Sequence, residues 1–194
     1  MLSGGQSRRF GQDKAALRHP DGRSLLERGC ALAAALPARV VVVGPAPPAG
    51  VAHATDPGCG PLAALAAAHR AFPAAAGALW LPVDLPCLDA AALQALAAPL
   101  PPGVALRVGA STDGAAGPAV PLPGRVGPAA IARLLAADAA GERSLARALH
   151  GLPAAWLGPA GLRAAGADPR ALTDADTPDG WAALLGAPPA PPTR

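Results

Sequence analysis

Short runs of aliphatic residues alternate along this chain with longer segments rich in alanine and leucine. The run RVVVVG at Arg39–Gly44 is β-branched and ends in glycine, and ALWLPVD at Ala78–Asp84 has a similar character. Such runs predict strands that are buried on both faces of a sheet. Helix-starting residues precede the segments between them: Ser24 and Asp89 are N-cap residues, and Pro61 suits a first helical position. The alternation therefore predicts an α/β fold in which helices cover a sheet.

Length and composition narrow the classes of protein to which the chain can belong. A chain of 194 residues predicts one domain, expected over residues 1–186, and the proline-rich residues 187–194 predict a disordered tail. The sequence lacks the apolar run of about 18 to 20 residues that a membrane-spanning helix needs, and its amino terminus carries charge early. The net charge of +3 is spread along the chain rather than gathered into a basic stripe. We therefore expect a cytoplasmic protein that binds neither membrane nor nucleic acid.

The opening segment, MLSGGQSRRFGQDKAAL, concentrates residue types that bind phosphate. Adjacent glycines at positions 4 and 5 let backbone N–H groups approach an anion without hindrance from a Cβ atom. Lys14 is the only lysine among the 16 basic residues, and it lies within this segment. The spacing differs from a Walker A loop because Gln12 and Asp13 separate Gly11 from Lys14. The segment predicts a phosphate-binding loop of another kind.

These residues resemble a known signature. The segment LSGGQSRRFGQDK is similar to the L-[AS]-G-G-x-S-x-R-[MF]-G-x-D-K motif of the nucleotidyltransferase superfamily with a Rossmann-like fold, and its ending resembles the molybdenum cofactor guanylyltransferases. Further segments resemble that family in the same order along the chain: GCGPLAAL, LPVDLPCLD, GPAVPLP, GERSLARALHGL and LTDADTPDGWAAL. The resemblance implies a three-layer α/β/α sandwich around a Rossmann-like, mostly parallel sheet.

The resemblance also implies a reaction and a set of site residues. A member of this family transfers GMP from GTP to the phosphate of the molybdenum–molybdopterin cofactor and releases pyrophosphate, and it makes transient contact with a molybdoenzyme or its chaperone. Mg²⁺ is the implied cofactor. By this resemblance the catalytic residues are Lys14, Arg9 and Asp84, the nucleotide-binding residues are Leu2, Ser3, Gly4, Gly5, Lys14 and Asp56, and the metal ligand is Asp84.

Three positions depart from the family pattern. Gly44 lies where members often have an asparagine that contacts the nucleotide, and Asp174 and Asp176 lie where asparagines are usual. Asp176 or Thr177 could equally cap the helix that follows. Two other functions therefore stay open at this point. One is a molybdopterin cytidylyltransferase, and the other is a non-catalytic paralogue that binds nucleotide or cofactor.

The amino-terminal strand is expected to be short. Members of the family have several apolar residues before the glycine pair, whereas only Met1 and Leu2 precede Ser3 here. Since that strand lies at the centre of the sheet, its loss would remove several kcal/mol of apolar burial, at about 1.5–3 kcal/mol for each aliphatic side chain. The sequence thus predicts a truncated first strand and a natural start upstream of Met1.

Overall fold

The structure is a computed structural model that describes residues 1–4, 13–44, 47–74, 76–113, 122–186 and 188. Two of the predicted site residues, Gly5 and Arg9, lie outside the described residues, as does all of the predicted proline-rich tail except residue 188. The described helices are α1 (Leu25–Ala33), α2 (Pro61–Ala71), α3 (Ala90–Ala97), α4 (Pro128–Ala139), α5 (Leu145–Leu149), α6 (Pro159–Ala164) and α7 (Pro178–Leu185). The described strands are β1 (Val41–Val43), β2 (Ala52–Ala54), β3 (Ala78–Trp80), β4 (Leu106–Gly109), β5 (Gly124–Val126) and β6 (Ala154–Leu157).

The helices begin at the capping residues that the sequence predicted. Ser24 forms a capping box at α1: its hydroxyl accepts from the N–H of Glu27 at 3.1 Å, and its own N–H donates to the Glu27 carboxylate at 2.7 Å. The Asp89 carboxylate accepts from the N–H of Ala92 at 2.7 Å and caps α3. Pro61 occupies the first turn of α2, where its missing N–H costs no helical hydrogen bond. These contacts satisfy amide groups that a helix terminus otherwise leaves unpaired.

The strands form one mixed sheet around the amino-terminal segment. β1 pairs with β2 in parallel, while β3, β5, β4 and β6 lie side by side in that order. Leu2 joins the two groups because it forms parallel bridges to both Val43 and Pro82. The order across the sheet is therefore β2, β1, Leu2, β3, β5, β4 and β6. Of the described strands, only β5 runs antiparallel to its neighbours, so the sheet is mostly parallel, as the family resemblance implied.

Helices cover both faces of this sheet, which confirms the predicted three-layer arrangement. On one face α2, α4 and α5 bury a cluster that includes Leu62, Trp80 and Leu134. On the other face α3 and α6 bury a cluster that includes Leu93 and Leu162, and α1 packs beside α3. The core is made mainly of alanine, leucine and valine. None of the described helices combines the length and hydropathy needed to cross a membrane.

Several elements were not predicted from the sequence. β2, β6 and α6 are only three, four and six residues long, so they give little periodic signal. The segment GPAVPLP spans residues 117–123, of which 117–121 lie outside the described residues. The strand that the structure describes in this region is β5 at Gly124–Val126.

Candidate active site

The site is assembled at the carboxyl ends of the central strands. The N–H of Leu2 donates to the carbonyl of Leu81 at 2.7 Å, and the N–H of Ser3 donates to the carbonyl of Val43 at 2.9 Å. Because all three segments run in parallel, the residues that follow them leave the sheet at the same edge. Gly4, Gly44 and Asp84 are those residues. Short apolar strands thus bring Gly4, Gly44 and the carboxylate of Asp84 to one side of the molecule.

Close backbone packing explains the glycine at position 44. Gly44 has a φ of +137°, and a Cβ atom there would lie 2.6 Å from the nitrogen of Gly4 and 2.6 Å from Oγ of Ser3. A Cβ atom on Gly4 would in turn overlap the carboxylate of Asp56. Asparagine at position 44 is therefore incompatible with this backbone, which gives a physical reason for the departure from the family pattern. Ser3, Gly4, Gly44 and Asp56 form one tightly packed group.

Asp56 is held in a local turn while it contacts Gly4. Its carboxylate accepts a hydrogen bond from the N–H of Gly58 at 2.8 Å. This is the turn geometry that the DPG sequence favours. The same side chain reaches Gly4, so the turn places a hydrogen-bond acceptor beside the segment that the sequence predicts to bind phosphate.

Lys14 lies between two carboxylates from distant parts of the chain. Its Nζ is 2.8 Å from Oδ2 of Asp84 and 2.6 Å from Oδ1 of Asp176. The side chains of Lys14 and Asp84 are 13% and 19% exposed, whereas that of Asp176 is 54% exposed. Lys14 begins a short 3-10 helix, Lys14–Ala16, which the carboxylate of Asp13 caps through the N–H of Ala15. The ammonium group is therefore held at a defined position and remains open to solvent on the side of Asp176.

The charges in this group influence one another. Burial alone would lower the pKa of Lys14, but hydrogen bonds to Asp176 and Asp84 outweigh burial and raise it. Partial burial raises the pKa of Asp174, and the negative charges of Asp176 and Asp84 raise it further. The site thus keeps its ammonium group charged and holds an excess of carboxylates around it.

The carboxyl-terminal segment reaches the site through the backbone as well as through Asp176. The N–H of Ala175 donates to the carbonyl of Asp84 at 3.0 Å. Thr177, rather than Asp176, caps α7: its hydroxyl accepts from the N–H of Gly180 at 3.0 Å. This settles the alternative that the sequence left open and leaves the Asp176 carboxylate directed at Lys14. Sequence reasoning treated Asp176 as a departure from the family pattern and missed its pairing with Lys14.

The predicted residues fall into two neighbouring groups in the structure. Lys14 and Asp84 are in direct contact, and Ser3, Gly4 and Asp56 pack together beside them. Leu2 supports both groups through its bridges to Val43 and Pro82. The structure adds Gly44 and Asp176 to the residues that the sequence predicted for the site. In the sequence they could have been noticed as a glycine that ends a strand and an aspartate just before a capping threonine.

The oxygen atoms at the site suit a hard divalent cation that is shared with a ligand. Asp84 and Asp176 each direct a carboxylate toward the same ammonium group, so their oxygens lie within one small region. Among the described residues, no group of three or more histidine, cysteine or acidic side chains is arranged to hold a metal by itself. Mg²⁺ usually binds one or two carboxylates and takes its other ligands from phosphate and water. The residues present therefore fit Mg²⁺ bound together with a phosphate.

Comparison with known proteins places this arrangement in context. Residues 1–154 match the family described as the MobA-like NTP transferase domain. Over 101 residues the chain is 44% identical to a molybdenum cofactor guanylyltransferase of Xanthomonas euvesicatoria pv. vesicatoria (strain 85-10). That match covers 51% of this chain and 52% of the relative, so the aligned region spans about half the length of each protein.

Solved structures share the fold across nearly the whole chain. Molybdopterin-guanine dinucleotide biosynthesis protein A from Archaeoglobus fulgidus superimposes with a TM-score of 0.71 at 22% identity, covering 95% of both chains. A Mycobacterium tuberculosis protein in complex with manganese superimposes with a TM-score of 0.62 at 19% identity, covering 96% of both chains. At these identities the structures establish the fold alone, whereas the family model covers most of the sequence. The chain belongs to the MobA-like NTP transferase domain family.

Proposed function

We propose that this protein is a molybdenum cofactor guanylyltransferase, which transfers GMP from GTP to the phosphate of the molybdenum–molybdopterin cofactor. The observation that carries the proposal is the contact of Lys14 with Asp84, at 2.8 Å, beside the packed glycines at the carboxyl edge of the sheet. Open α/β sheets bind ligands at this edge. An ammonium group can bind the phosphate oxygens of a nucleoside triphosphate, and a neighbouring carboxylate can bind the divalent cation that accompanies it.

The reaction needs positioning and charge neutralisation more than covalent participation by the protein. A phosphate oxygen of the cofactor attacks the α-phosphorus of GTP, and the bond between that phosphorus and the bridging oxygen of pyrophosphate breaks. Lys14 would stabilise negative charge that develops on the phosphate oxygens. Its raised pKa keeps it protonated at neutral pH. The backbone at Ser3 and Gly4 would position the nucleotide, with Asp56 alongside.

Asp84 is the residue that we propose to hold Mg²⁺, which would neutralise the charge of the triphosphate. In the absence of nucleotide this carboxylate pairs with Lys14. Nucleotide binding would then exchange the carboxylate partners of Lys14 for phosphate oxygens, and Asp84 would keep a positive partner in the cation. Asp176 is more exposed than Asp84, so its carboxylate is the easier partner for Lys14 to exchange. Gly5 and Arg9 remain proposed contributors from the resemblance alone.

The choice of GTP over CTP rests on two supports. The relative that is 44% identical over half the chain is named a guanylyltransferase. The G-x-D-K ending of the opening segment, with Asp13 before Lys14, is similar to that of guanylyltransferases. A cytidylyltransferase would use the same lysine and carboxylate, because both reactions involve the same triphosphate chemistry.

The direct test supplies the purified protein with Mg²⁺, the molybdenum–molybdopterin cofactor and GTP, CTP or ATP labelled at the α-phosphate. We expect label to enter the cofactor from GTP, with one pyrophosphate released for each nucleotide transferred. Exclusive use of CTP would replace the proposal by the cytidylyltransferase. Tight nucleotide binding without transfer, unchanged in Asp84→Ala, would favour a non-catalytic binding protein.

A further inference from the structure

One edge of the sheet is formed by β6, and among the described strands only β4 pairs with it. The carbonyl of Leu157 accepts from the N–H of Ala110 at 3.0 Å, so the backbone of Leu157 faces β4. Backbone groups alternate in direction along a paired strand, so the N–H and C=O groups of Ala154 and Trp156 face away from the sheet. The outer edge of β6 therefore presents two hydrogen-bond donors and two acceptors.

Trp156 places a large apolar side chain in solvent at this edge. It is 44% exposed, whereas Trp80 and Trp181 are 3% and 1% exposed. Among the residues that the structure describes, it is the only large apolar side chain in the exposed class. Ala154 is exposed beside it, because residues two apart on a strand point to the same face. Partly exposed tryptophan is typical of surfaces that bind another protein.

The edge lacks most of the features that keep edge strands from pairing, which are charged side chains, bulges and outward-facing prolines. Residues 153–157 read PAAWL and carry no charge, and the register between β4 and β6 is continuous. The carbonyl of Pro153 accepts from the N–H of Ala105 at 2.9 Å, so this proline faces β4. Its missing N–H therefore does not interrupt the outer edge. Only the length of four residues limits pairing here.

We propose that β6 pairs in antiparallel orientation with β6 of a second copy of this chain, across a two-fold axis beside Ala155. In this register Ala154 lies opposite Trp156 of the second copy. Each such pair exchanges two hydrogen bonds, so the four outward groups of each strand are all paired.

This register is favoured over its neighbours. A shift by two residues would place Leu152 or Gly158 opposite one of the outward residues. The N–H of Leu152 already donates to the carbonyl of Leu149 at 3.2 Å, and the carbonyl of Gly158 already accepts from the N–H of Leu162 at 2.9 Å. Either shifted register therefore forms fewer hydrogen bonds between the two copies.

The side chains of β6 fit the same register. On one face each Trp156 ring lies next to Ala154 of the second copy, whose methyl group leaves room for the indole. On the other face the two Ala155 side chains meet at the axis, where the Cα atoms of facing residues are about 4.5 Å apart. Since β6 is uncharged, no like charges of the two strands lie opposite each other. The strand is thus complementary to itself, which favours a second copy over an unrelated extended peptide.

The contact is small, so the dimer is expected to be weak. Four residues extend over about 13 Å, at about 3.3 Å each, and bury less than the roughly 1,600 Å² of a standard interface. Interfaces of standard size have dissociation constants from µM to pM. We therefore expect a dissociation constant above about 1 µM and a dimer fraction that rises with protein concentration.

The test measures the dimer fraction of the purified full chain by sedimentation velocity, from about 1 µM to about 1 mM. Trp156→Lys removes the ring and adds a charge on each strand, and Ala154→Pro removes one outward N–H from each copy while leaving the bonds to β4 intact. We expect each substitution to raise the dissociation constant at least about tenfold. Ala31→Lys adds the same charge at an exposed position of α1 and should dimerise as the unsubstituted chain does.

Amide exchange adds a readout at single residues. Exchange at Ala154 and Trp156 should slow as the protein concentration rises, because their N–H groups gain partners only in the dimer. Exchange at Ala155 and Leu157 should keep its rate, since these residues pair with β4 in either state.

Three outcomes would overturn the proposal. A chain that stays monomeric up to about 1 mM does not pair through β6 at any useful concentration. A dimer that both substitutions leave intact uses another surface. A dimer that Trp156→Lys weakens and Ala154→Pro does not is held by the indole without strand pairing. None of these measurements uses nucleotide, so failure here is distinct from failure of the proposed function.

Discussion

The two ends of the central sheet are built from different kinds of groups. At the carboxyl ends, charged side chains from three distant segments meet: Lys14 with Asp84 at 2.8 Å and with Asp176 at 2.6 Å. At the amino ends, aliphatic side chains and backbone groups surround a cavity of about 630 Å³. The carboxyl ends thus carry charged groups that solvent can reach, while the amino ends surround the cavity with apolar side chains and backbone groups.

This contrast suggests that the carboxyl ends of the strands determine activity, whereas the amino ends determine stability. Ligands of open α/β sheets bind beyond the carboxyl ends of the strands, where loops can vary without disturbing the core. The amino ends have less freedom, because the cavity there is lined by helices on both faces. Substitutions at the carboxyl end should therefore affect nucleotide transfer, and those at the amino end should affect the free energy of unfolding.

The largest effect is expected from Lys14→Met. Loss of the ammonium group removes a preorganised positive charge, and we expect kcat for GMP transfer to fall by about 10² to 10³. Lys14→Arg should recover only part of the rate, because a planar guanidinium does not reproduce a compact ammonium group. Initial rates at saturating GTP measure the change.

The matched control for Lys14 is a basic residue at the other end of the sheet. Arg70 lies in the last turn of α2 and pairs with Asp138 at 2.7 Å on the surface. Arg70→Gln should leave kcat within about twofold of the unsubstituted protein, because exposed ion pairs contribute little. A similar loss of kcat in both variants would remove the distinction between the two ends.

The next effect is expected from Gly44→Ala. A Cβ atom there meets the Gly4 nitrogen and Ser3 Oγ at 2.6 Å, and the φ of +137° is itself unfavourable for alanine. We expect a loss of about 2–3 kcal/mol in the free energy of unfolding, together with weaker nucleotide binding. Urea unfolding and equilibrium binding of GTP measure the two changes.

Two other glycines serve as controls for Gly44→Ala. Gly50 has a φ of +79°, and a Cβ atom there would have nothing within 4 Å, so Gly50→Ala isolates the conformational cost. Gly77, at the amino end before β3, would place a Cβ atom against the carbonyl of Val126. Gly77→Ala should lower stability without changing the affinity for GTP. Weaker GTP binding in Gly77→Ala would contradict the separation of the two ends.

The sequence predicted the parts of the site that depend on local pattern. The runs at 39–44 and 78–84 predicted the central strands, and parallel strands bring their carboxyl ends to one edge. That argument placed Asp84 correctly beside the opening segment. It could not place Asp176, because the pairing with Lys14 joins residues 162 positions apart and depends on how the last helix packs. The clash at Gly44 was also hidden, since it depends on the distance between two backbones.

A smaller effect, which depends on pH, is expected at the amino end. The His69 ring accepts a hydrogen bond from the Trp80 indole N–H at 2.9 Å, and burial lowers the pKa of His69. The unfolded chain therefore takes up the proton first, and stability that is present above about pH 6.5 is lost as the pH falls through that value. The loss amounts to at most about 1.4 kcal/mol per pH unit.

Urea unfolding at about pH 7.5, 6.5 and 5.5, which spans the ordinary pKa of histidine, measures this loss. His69→Gln should remove the part of it that His69 causes, because glutamine does not titrate in this range. His150→Gln, at an exposed position that caps the end of α5, should retain the full loss. Parallel curves for His69→Gln and the unsubstituted protein would show that His69 is not responsible.

The smallest effects are expected from Asp174 and Asp176, which should differ in sign. Partial burial and the neighbouring carboxylates of Asp176 and Asp84 raise the pKa of Asp174, so its ionisation in the folded state costs free energy as the pH rises above its ordinary value of 3.8. Asp174→Asn should therefore stabilise the protein at about pH 7 by a few tenths of a kcal/mol, a small gain because solvent screens the repulsion. Asp176→Asn breaks the contact with Lys14 and should destabilise it by a similar amount. Chemical denaturation of the two variants at the same pH measures both changes in the free energy of unfolding. Shifts of the same sign would contradict this account, in which burial and repulsion destabilise ionised Asp174 while pairing with Lys14 stabilises Asp176.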